Sequence, residues 1–396
     1  MRSFIFHNPG RLVFGKGAVE KRLARELSDL GGSRAFVVSD KALSKSEMIE
    51  RVKAALGDKL VGFFSGVEPD PGIEIIDRAA AEARAVEADC VVSVGGGSSI
   101  DTGKAVAALV ASGTASVREL IGFAKLSRRP ALHLALPTTA GTGSECTSMS
   151  VLKDREAGKK VLILDPRLVP DLGLLDPTLT LGLPPRLTAA TGMDAMTHAA
   201  EAIMSIKAMP PADALALHAV SAITEHLPRV IEDGADLEAR GMMLIAAAEA
   251  GQAFTNAYVG VVHALAHALG GMFGVPHGEA NAMLLWVGME FNASVVPERV
   301  ALIGKAMGIE PSGDAARDAD RAVAAMREFT VKTGLPLKLG DYGVDQERLS
   351  ELSALALSDT SLGTSPRKPE SAKELEELYR KCGWFHETDN RRGRRK

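Results

Sequence analysis

The hydrophobic pattern changes character once along this 396-residue chain, near residues 181–186 (LGLPPR), and that change constrains the fold more than any single motif. Before it, AFVVSD (35–40), DCVVSVGGG (89–97) and LHLALPTT (132–139) read as buried strands, each ending in turn or polar residues. GAVEKRLARELSDLG and IEIIDRAAAEARAVEA read as intervening helices. Strand–helix alternation predicts a mostly parallel sheet covered on both faces, with ligands bound beyond the carboxyl ends of its strands. After LGLPPR the strand signals stop, and stretches such as ADALALHAVSAITEHL and DLEARGMMLIAAAEAGQAF predict helices almost to the end. The two prolines set a boundary between an α/β domain over residues 1–183 and an all-helical domain over residues 184–396.

Four potential metal ligands fall in the helical half. Asp194 and His198 in TGMDAMTHAAEA are four apart, so on a helix both side chains leave the same face one turn apart. In HALAHALGGMFGVPHGEAN, His263 and His267 repeat that spacing, while His277 lies between Pro276 and Gly278, at an expected loop-to-helix junction. Three imidazoles and one carboxylate (Asp194, His198, His263, His277) suit Fe²⁺ or Zn²⁺ and leave room for an exchangeable oxygen ligand, as at a catalytic site. The i, i+4 pairs are common on helices and histidines often sit satisfied in a core, but two such clusters together favour a metal. His7, His133, His218, His226 and His386 carry no partner spacing and read as structural.

In the first half, CVVSV runs straight into Gly95, Gly96, Gly97 and Ser98, and SSIDTGKAVAALV begins a helix, so backbone amides and a helix N-terminus converge where a pyrophosphate could sit. Such a turn also occurs without a ligand. Asp40, just past AFVVS, could accept from an adenosine ribose and repel a 2′-phosphate, which favours NAD over NADP; the plainer reading is a turn former or helix cap. A third polar turn, PTTAGTGSE, offers the hydroxyls of Thr138, Thr139 and Thr142.

Composition excludes other classes. Hydrophobic content of 46%, 24% charged residues and a net charge of −4 give no electrostatic reason to expect nucleic acid or an anionic membrane as partner. The start of the chain lacks the apolar core of a signal peptide, and no run of about 18 apolar residues occurs, which places the protein in the cytoplasm. Cys90, Cys146 and Cys382 are widely spaced without a CxxC, so neither a disulfide framework nor a cysteine zinc site is indicated. The tail after Trp384, HETDNRRGRRK, reads as a frayed basic end.

These residues resemble the iron-containing (group III) alcohol dehydrogenases over nearly the whole chain. FGKGA, GVEPDP, GGGSSIDTGKA, LPTTAGTGSE, GMDAMTHAAEA, HALAHALGG, VPHGEANA and ELYRKC occur in the family's order. The resemblance implies the dehydroquinate synthase-like fold of iron-dependent alcohol dehydrogenases, an α/β dinucleotide-binding domain followed by an all-α domain, with metal and nicotinamide meeting in the cleft between them. It implies that Asp194, His198, His263 and His277 hold the metal and that His267, beside the nicotinamide, assists proton movement. It further implies that Asp40, Gly96, Gly97, Ser98, Asp101, Thr138, Thr139, Thr142 and Lys160 touch the cofactor. The implied reaction is reversible hydride transfer between a primary alcohol or aldehyde and NAD, with the cation as Lewis acid, in a homodimer or larger assembly.

The chain departs from the family at two places: Asp70 stands in GVEPDP where Asn is common, and TSPR (364–367) replaces NPR. Met149, Phe254 and Tyr258 are possible pocket lining, and an apolar pocket would favour simple alcohols over diols. A dehydroquinate-synthase-like lyase would need many lysines and arginines, yet the segments flanking the ligands are nearly free of them. A metal-independent maleylacetate reductase is the nearer alternative, against which Asp194 argues; a non-catalytic NAD-binding protein should have lost ligands, and none is missing.

Overall fold

The computed structural model describes residues 3–8 and 10–383; His386 and the basic tail lie outside the described residues. The first half runs β1 (Arg11–Phe14), α1 (Ala18–Asp29), β2 (Ala35–Asp40), α2 (Glu47–Leu56), β3 (Leu60–Val67), α3 (Ile73–Ala85), β4 (Cys90–Gly95) and α4 (Gly97–Ser112), then β5 (Gly122–Phe123), β6 (Leu132–Pro137), β7 (Met149–Asp154), β8 (Lys159–Leu164) and β9 (Leu172–Leu175). Six strands form one sheet in the order β1-β9-β6-β4-β2-β3, every neighbouring pair parallel. Burial on both faces explains why β2, β4 and β6 are near-continuous apolar runs rather than alternating ones. Successive residues still part to opposite sides: Phe36, Val38 and Val91 pack with α3 and α4, whereas Val37, Val92 and Val94 pack with α1 and α2.

Three strands of this sheet lack a sequence signature for physical reasons. Strand β1 is a half-exposed edge, β3 (LVGFFSGV) carries two glycines, and β9 (LGLL) is short. A small second sheet, β5-β8-β7, pairs β7 and β8 antiparallel, so the α/β half is not purely parallel.

The helical half contains α5 (Pro185–Met204), α6 (Pro210–Glu232), α7 (Leu237–Ala257), α8 (Val261–Phe273), α9 (His277–Ala293), α10 (Pro297–Ala306), α11 (Ala315–Lys332), α12 (Leu349–Leu357) and α13 (Ala372–Cys382). Among the described residues no strand follows Leu175, and no helix is long and apolar enough to cross a membrane. The chain divides into two compact units, one of Ile5–Pro184 with Asp233–Thr255, the other of Pro185–Glu232 with the described residues from Asn256 onward. The passage at Pro184 falls inside LGLPPR. Segment 233–255 departs from the expected uninterrupted second domain, because α7 packs back on the α/β unit.

The cause is close backbone approach. A Cβ on Gly251 would stand 2.6 Å from the carbonyl oxygen of Gly143, and a Cβ on Gly143 would stand 2.6 Å from that of Ala247, so two glycines let helix and loop touch. Thr255 Oγ1 also accepts the Ser148 backbone N–H at 3.0 Å. Nothing in the local period of α7 encodes these partners.

Candidate functional site

Helix α5 presents Asp194 and His198 one turn apart, α8 supplies His263, and α9 begins at His277 directly after Pro276. One ligand atom from each of these four residues lies within 4.8 Å of the others, with Asp194, His198 and His263 buried and His277 half-buried. The Asp194 Oδ1 atom is 3.4 Å from His277 Nε2 and 3.9 Å from His198 Nε2. The rings of His198 and His263 stack with centroids 4.8 Å apart.

Burial alone would raise the Asp194 carboxyl, yet His198, His277 and His263 with the Asn281 amide outweigh it and hold the group below its ordinary range. Burial pushes His277 down to about 3 and His263 well below its usual value. One carboxylate and three imidazoles, with a ligand atom of each within 4.8 Å of the others, are donors a divalent ion takes, so the donor set fits such an ion. Asn281 Nδ2 lies 2.7 Å from Asp194 Oδ1, 3.3 Å from His263 Nε2 and 3.2 Å from His277 Nε2. Its Oδ1 is buried without a hydrogen-bond partner, which marks an amide oriented by the ligand atoms alone.

His267 stands beside this cluster rather than within it. Its ring stacks on His277 at 5.5 Å and 15°, and its Nδ1 is 2.9 Å from Asp359 Oδ2. Burial opposes ionisation of Asp359, but His267 and Ser361 pull the carboxyl down to about 2. Further back, Arg186 and Tyr342 both bond Glu279 and so tie the first turn of α9 to its surroundings.

The dinucleotide candidates gather on the α/β unit. Strands β6, β4 and β2 are neighbours, so their carboxyl ends bring Pro137–Thr139, Gly95–Ser98 and Asp40 onto one edge, at the point where connections leave β2 and β4 in opposite directions. Gly96 and Gly97 start α4 and, with Ser98, remain half-buried, offering the helix N-terminus to an anion. Gly95 has φ +146°, and a Cβ there would strike Ser99 and lie 3.4 Å from Asp40 Oδ2. Asp40 Oδ1 accepts the Leu43 N–H at 2.9 Å, so one carboxylate oxygen is spent on the turn and the other faces the glycine corner. Thr139 and Thr142 line the same corner against Gly96 and Gly97, and Thr138 bonds through its backbone N–H to Gly95.

Two expected cofactor residues have other partners. Asp101 is turned inward: its carboxylate accepts from Ser144, from the Val151 N–H at 2.9 Å and from Lys104 at 3.3 Å. Lys104 is fully buried and also bonds Ser144 Oγ, Thr147 Oγ1 and the Met149 carbonyl at 2.7–2.8 Å. Lys160, on β8, pairs at 2.7 Å with Asp70, the residue that departs from the family's Asn. Of the suggested pocket residues, Met149 begins β7, Phe254 is buried in α7, and Tyr258 has φ +61°, a strained value for a bulky side chain.

Glu201, Asn281, Asp359 and Lys104 escaped the sequence reading. Glu201 lies seven residues after Asp194 and Asn281 four after His277, spacings that put them on the ligand faces of α5 and α9. Lys104 follows Asp101 by three residues on α4, a same-face spacing of the same kind, whereas Asp359 carries no comparable local signal. Of the histidines set aside, His133 is buried with Nε2 2.8 Å from Ser93 Oγ, and His226 is buried beside Arg229.

Residues 9–177 match the family model for iron-containing alcohol dehydrogenase, and residues 188–383 match that for the C-terminal region of the Fe-containing alcohol dehydrogenase family. A 1,3-propanediol dehydrogenase of Klebsiella pneumoniae is 36% identical over 386 residues, covering 96% of this chain and 99% of that protein. An NAD-dependent methanol dehydrogenase of Bacillus methanolicus is 34% identical over 365 residues, covering 91% and 95%. The crystal structure of a 1,3-propanediol oxidoreductase superposes with a TM-score of 0.92 at 35% identity, covering 96% of this chain and all of that one. Together with the fold, these matches define an oxidoreductase class built of an α/β and a helical part. The chain belongs to the iron-containing alcohol dehydrogenase family.

Proposed function

We propose that this protein is a metal-dependent alcohol dehydrogenase that passes hydride reversibly between a primary alcohol or aldehyde and NAD. The convergence of the Asp194, His198, His263 and His277 ligand atoms within 4.8 Å of one another carries this reading. Those four residues would hold a divalent ion, Fe²⁺ or Zn²⁺, which would supply Lewis-acid polarisation of the substrate oxygen, and NAD would supply the hydride acceptor. His267, whose ring is paired with Asp359, would move the alcohol proton on this reading. The glycine corner and the α4 N-terminus would take the pyrophosphate, and the free Asp40 oxygen would accept from the ribose and disfavour NADP.

A metal-free reductase is the poorer reading: it gives no role to a carboxylate and three imidazoles whose ligand atoms lie within 4.8 Å of one another. The relatives' names span a diol and methanol and leave the alcohol class open between them.

Elemental analysis of freshly purified protein, with alcohol-dependent NAD reduction assayed before and after chelation, tests ion, cofactor and reaction together. Activity should vanish on chelation and return with Fe²⁺ or Zn²⁺. His263→Ala should purify with little metal, whereas His267→Ala should retain it and lose turnover by about 10²–10⁴-fold, as for loss of a proton-transfer group. Equal metal loss in both variants would make His267 a ligand and overturn its assignment.

A further inference from the structure

We propose that Glu201 is a positioning residue of the metal centre, holding the His263 ring so that Nε2 alone faces the ligand cluster. This rests on the metal reading above. Asp194, His198 and Glu201 follow an i, i+4, i+7 spacing on α5, so the carboxylate arrives on the same stripe as the two ligands but one turn further along. Glu201 is buried, and its Oε2 lies 2.5 Å from His263 Nδ1. Its Oε1 accepts the Val262 N–H at 2.7 Å. An imidazole has two nitrogens; with Nδ1 donating to Glu201, the proton is fixed there and Nε2 keeps its lone pair. That nitrogen is the one beside Asn281 Nδ2, within the cluster that includes Asp194 and His277.

The competing role is structural. Glu201 bonds the first turn of α8 and would act as a helix cap even if His263 ligated nothing. Glu201→Gln separates the two. The variant leaves one acceptor oxygen for two donors, the Val262 N–H and His263 Nδ1–H. A buried backbone N–H cannot move its proton and is costly to leave unpaired, whereas the ring can shift its proton to the other nitrogen. The backbone therefore keeps the oxygen, the amide nitrogen faces Nδ1, and the proton moves to Nε2, where it blocks ligation.

The test measures Zn²⁺ affinity by chelator competition at pH 8 on the full chain, alongside the melting temperature of metal-free protein and the ¹⁵N-histidine NMR spectrum, with His263 assigned by difference from His263→Asn. The expected result for Glu201→Gln is Zn²⁺ affinity lowered about 10- to 100-fold, as for loss of a ligand-orienting partner. Its melting temperature should stay close to wild type, and His263 should switch from the Nδ1–H to the Nε2–H form. Unchanged affinity with an unchanged tautomer would overturn the proposal and leave Glu201 a cap.

Should the variant not fold, the wild-type spectrum still decides: metal-free protein must show His263 protonated on Nδ1, and protonation on Nε2 sinks the idea. Wild-type protein that binds no Zn²⁺ yet shows the Nδ1–H form would instead refute the metal reading while upholding the hold of Glu201 on the ring.

Discussion

Two lysines of the α/β unit show how burial decides what an ion pair is worth. Lys104 is sealed from solvent and bonds Ser144, Thr147, Asp101 and the Met149 carbonyl, joining α4, the GTGSE turn and the start of β7. Burial lowers its affinity for a proton, and Asp101 opposes that. Lys160 pairs with Asp70 in a half-exposed bridge that solvent screens. Lys104→Met should therefore cost about 3–5 kcal/mol in chemical denaturation, because it removes one partner of a buried ion pair and leaves Asp101 without its counterion. Lys160→Met should cost under about 1 kcal/mol. Similar small losses in both variants would show that Asp101 takes up a proton or is otherwise compensated.

At the scale of elements, the contact between α7 and the GTGSE turn links the helix to the dinucleotide edge. The turn that carries Thr142 also holds Gly143 against Gly251, so the position of one polar corner depends on a helix more than a hundred residues later. Gly251→Ala forces its new methyl against the Gly143 carbonyl and should destabilise by about 1–3 kcal/mol, the usual cost of overpacking. Gly182→Ala, where a Cβ meets nothing within 4 Å, should change stability by no more than about 0.5 kcal/mol. Urea midpoints of the two variants compare them directly, and equal midpoints would mean that turn and helix yield without strain.

For the whole molecule, stability at low pH reflects groups that burial has shifted in opposite senses. His133 is pushed down to about 3 by burial, with Lys104 adding to the effect. Between about 3 and its ordinary 6.5 the unfolded chain binds a proton that the folded one refuses, so this contribution is complete above 6.5 and is lost as pH falls toward 3. The shift corresponds to on the order of 5 kcal/mol at full extent. Glu145 runs the other way: burial raises it to about 7, so its contribution is present below about 4.5 and is lost as pH rises toward 7. His133→Asn should flatten the fall in unfolding free energy between pH 6 and 4, measured by urea titration at each pH. An unchanged slope there would assign acid lability to other groups.

Local repetition along the chain determined much of this protein. The unbroken apolar runs of β2, β4 and β6, the helical period of the second half and the spacing of Asp194 with His198 are all patterns among neighbours in sequence. The chemistry of three imidazoles and a carboxylate was equally legible, since ligand type is residue type. Tertiary structure alone decided which distant groups met: α7 returned to the α/β unit, Asp101 took Ser144 and the Val151 N–H, Asp70 took Lys160, and Glu201 and Asn281 closed around the histidines. Those partners are separated by up to 107 residues in the bonded pairs, and their meeting depends on chain closure and the packing of whole faces. No local period records such distances.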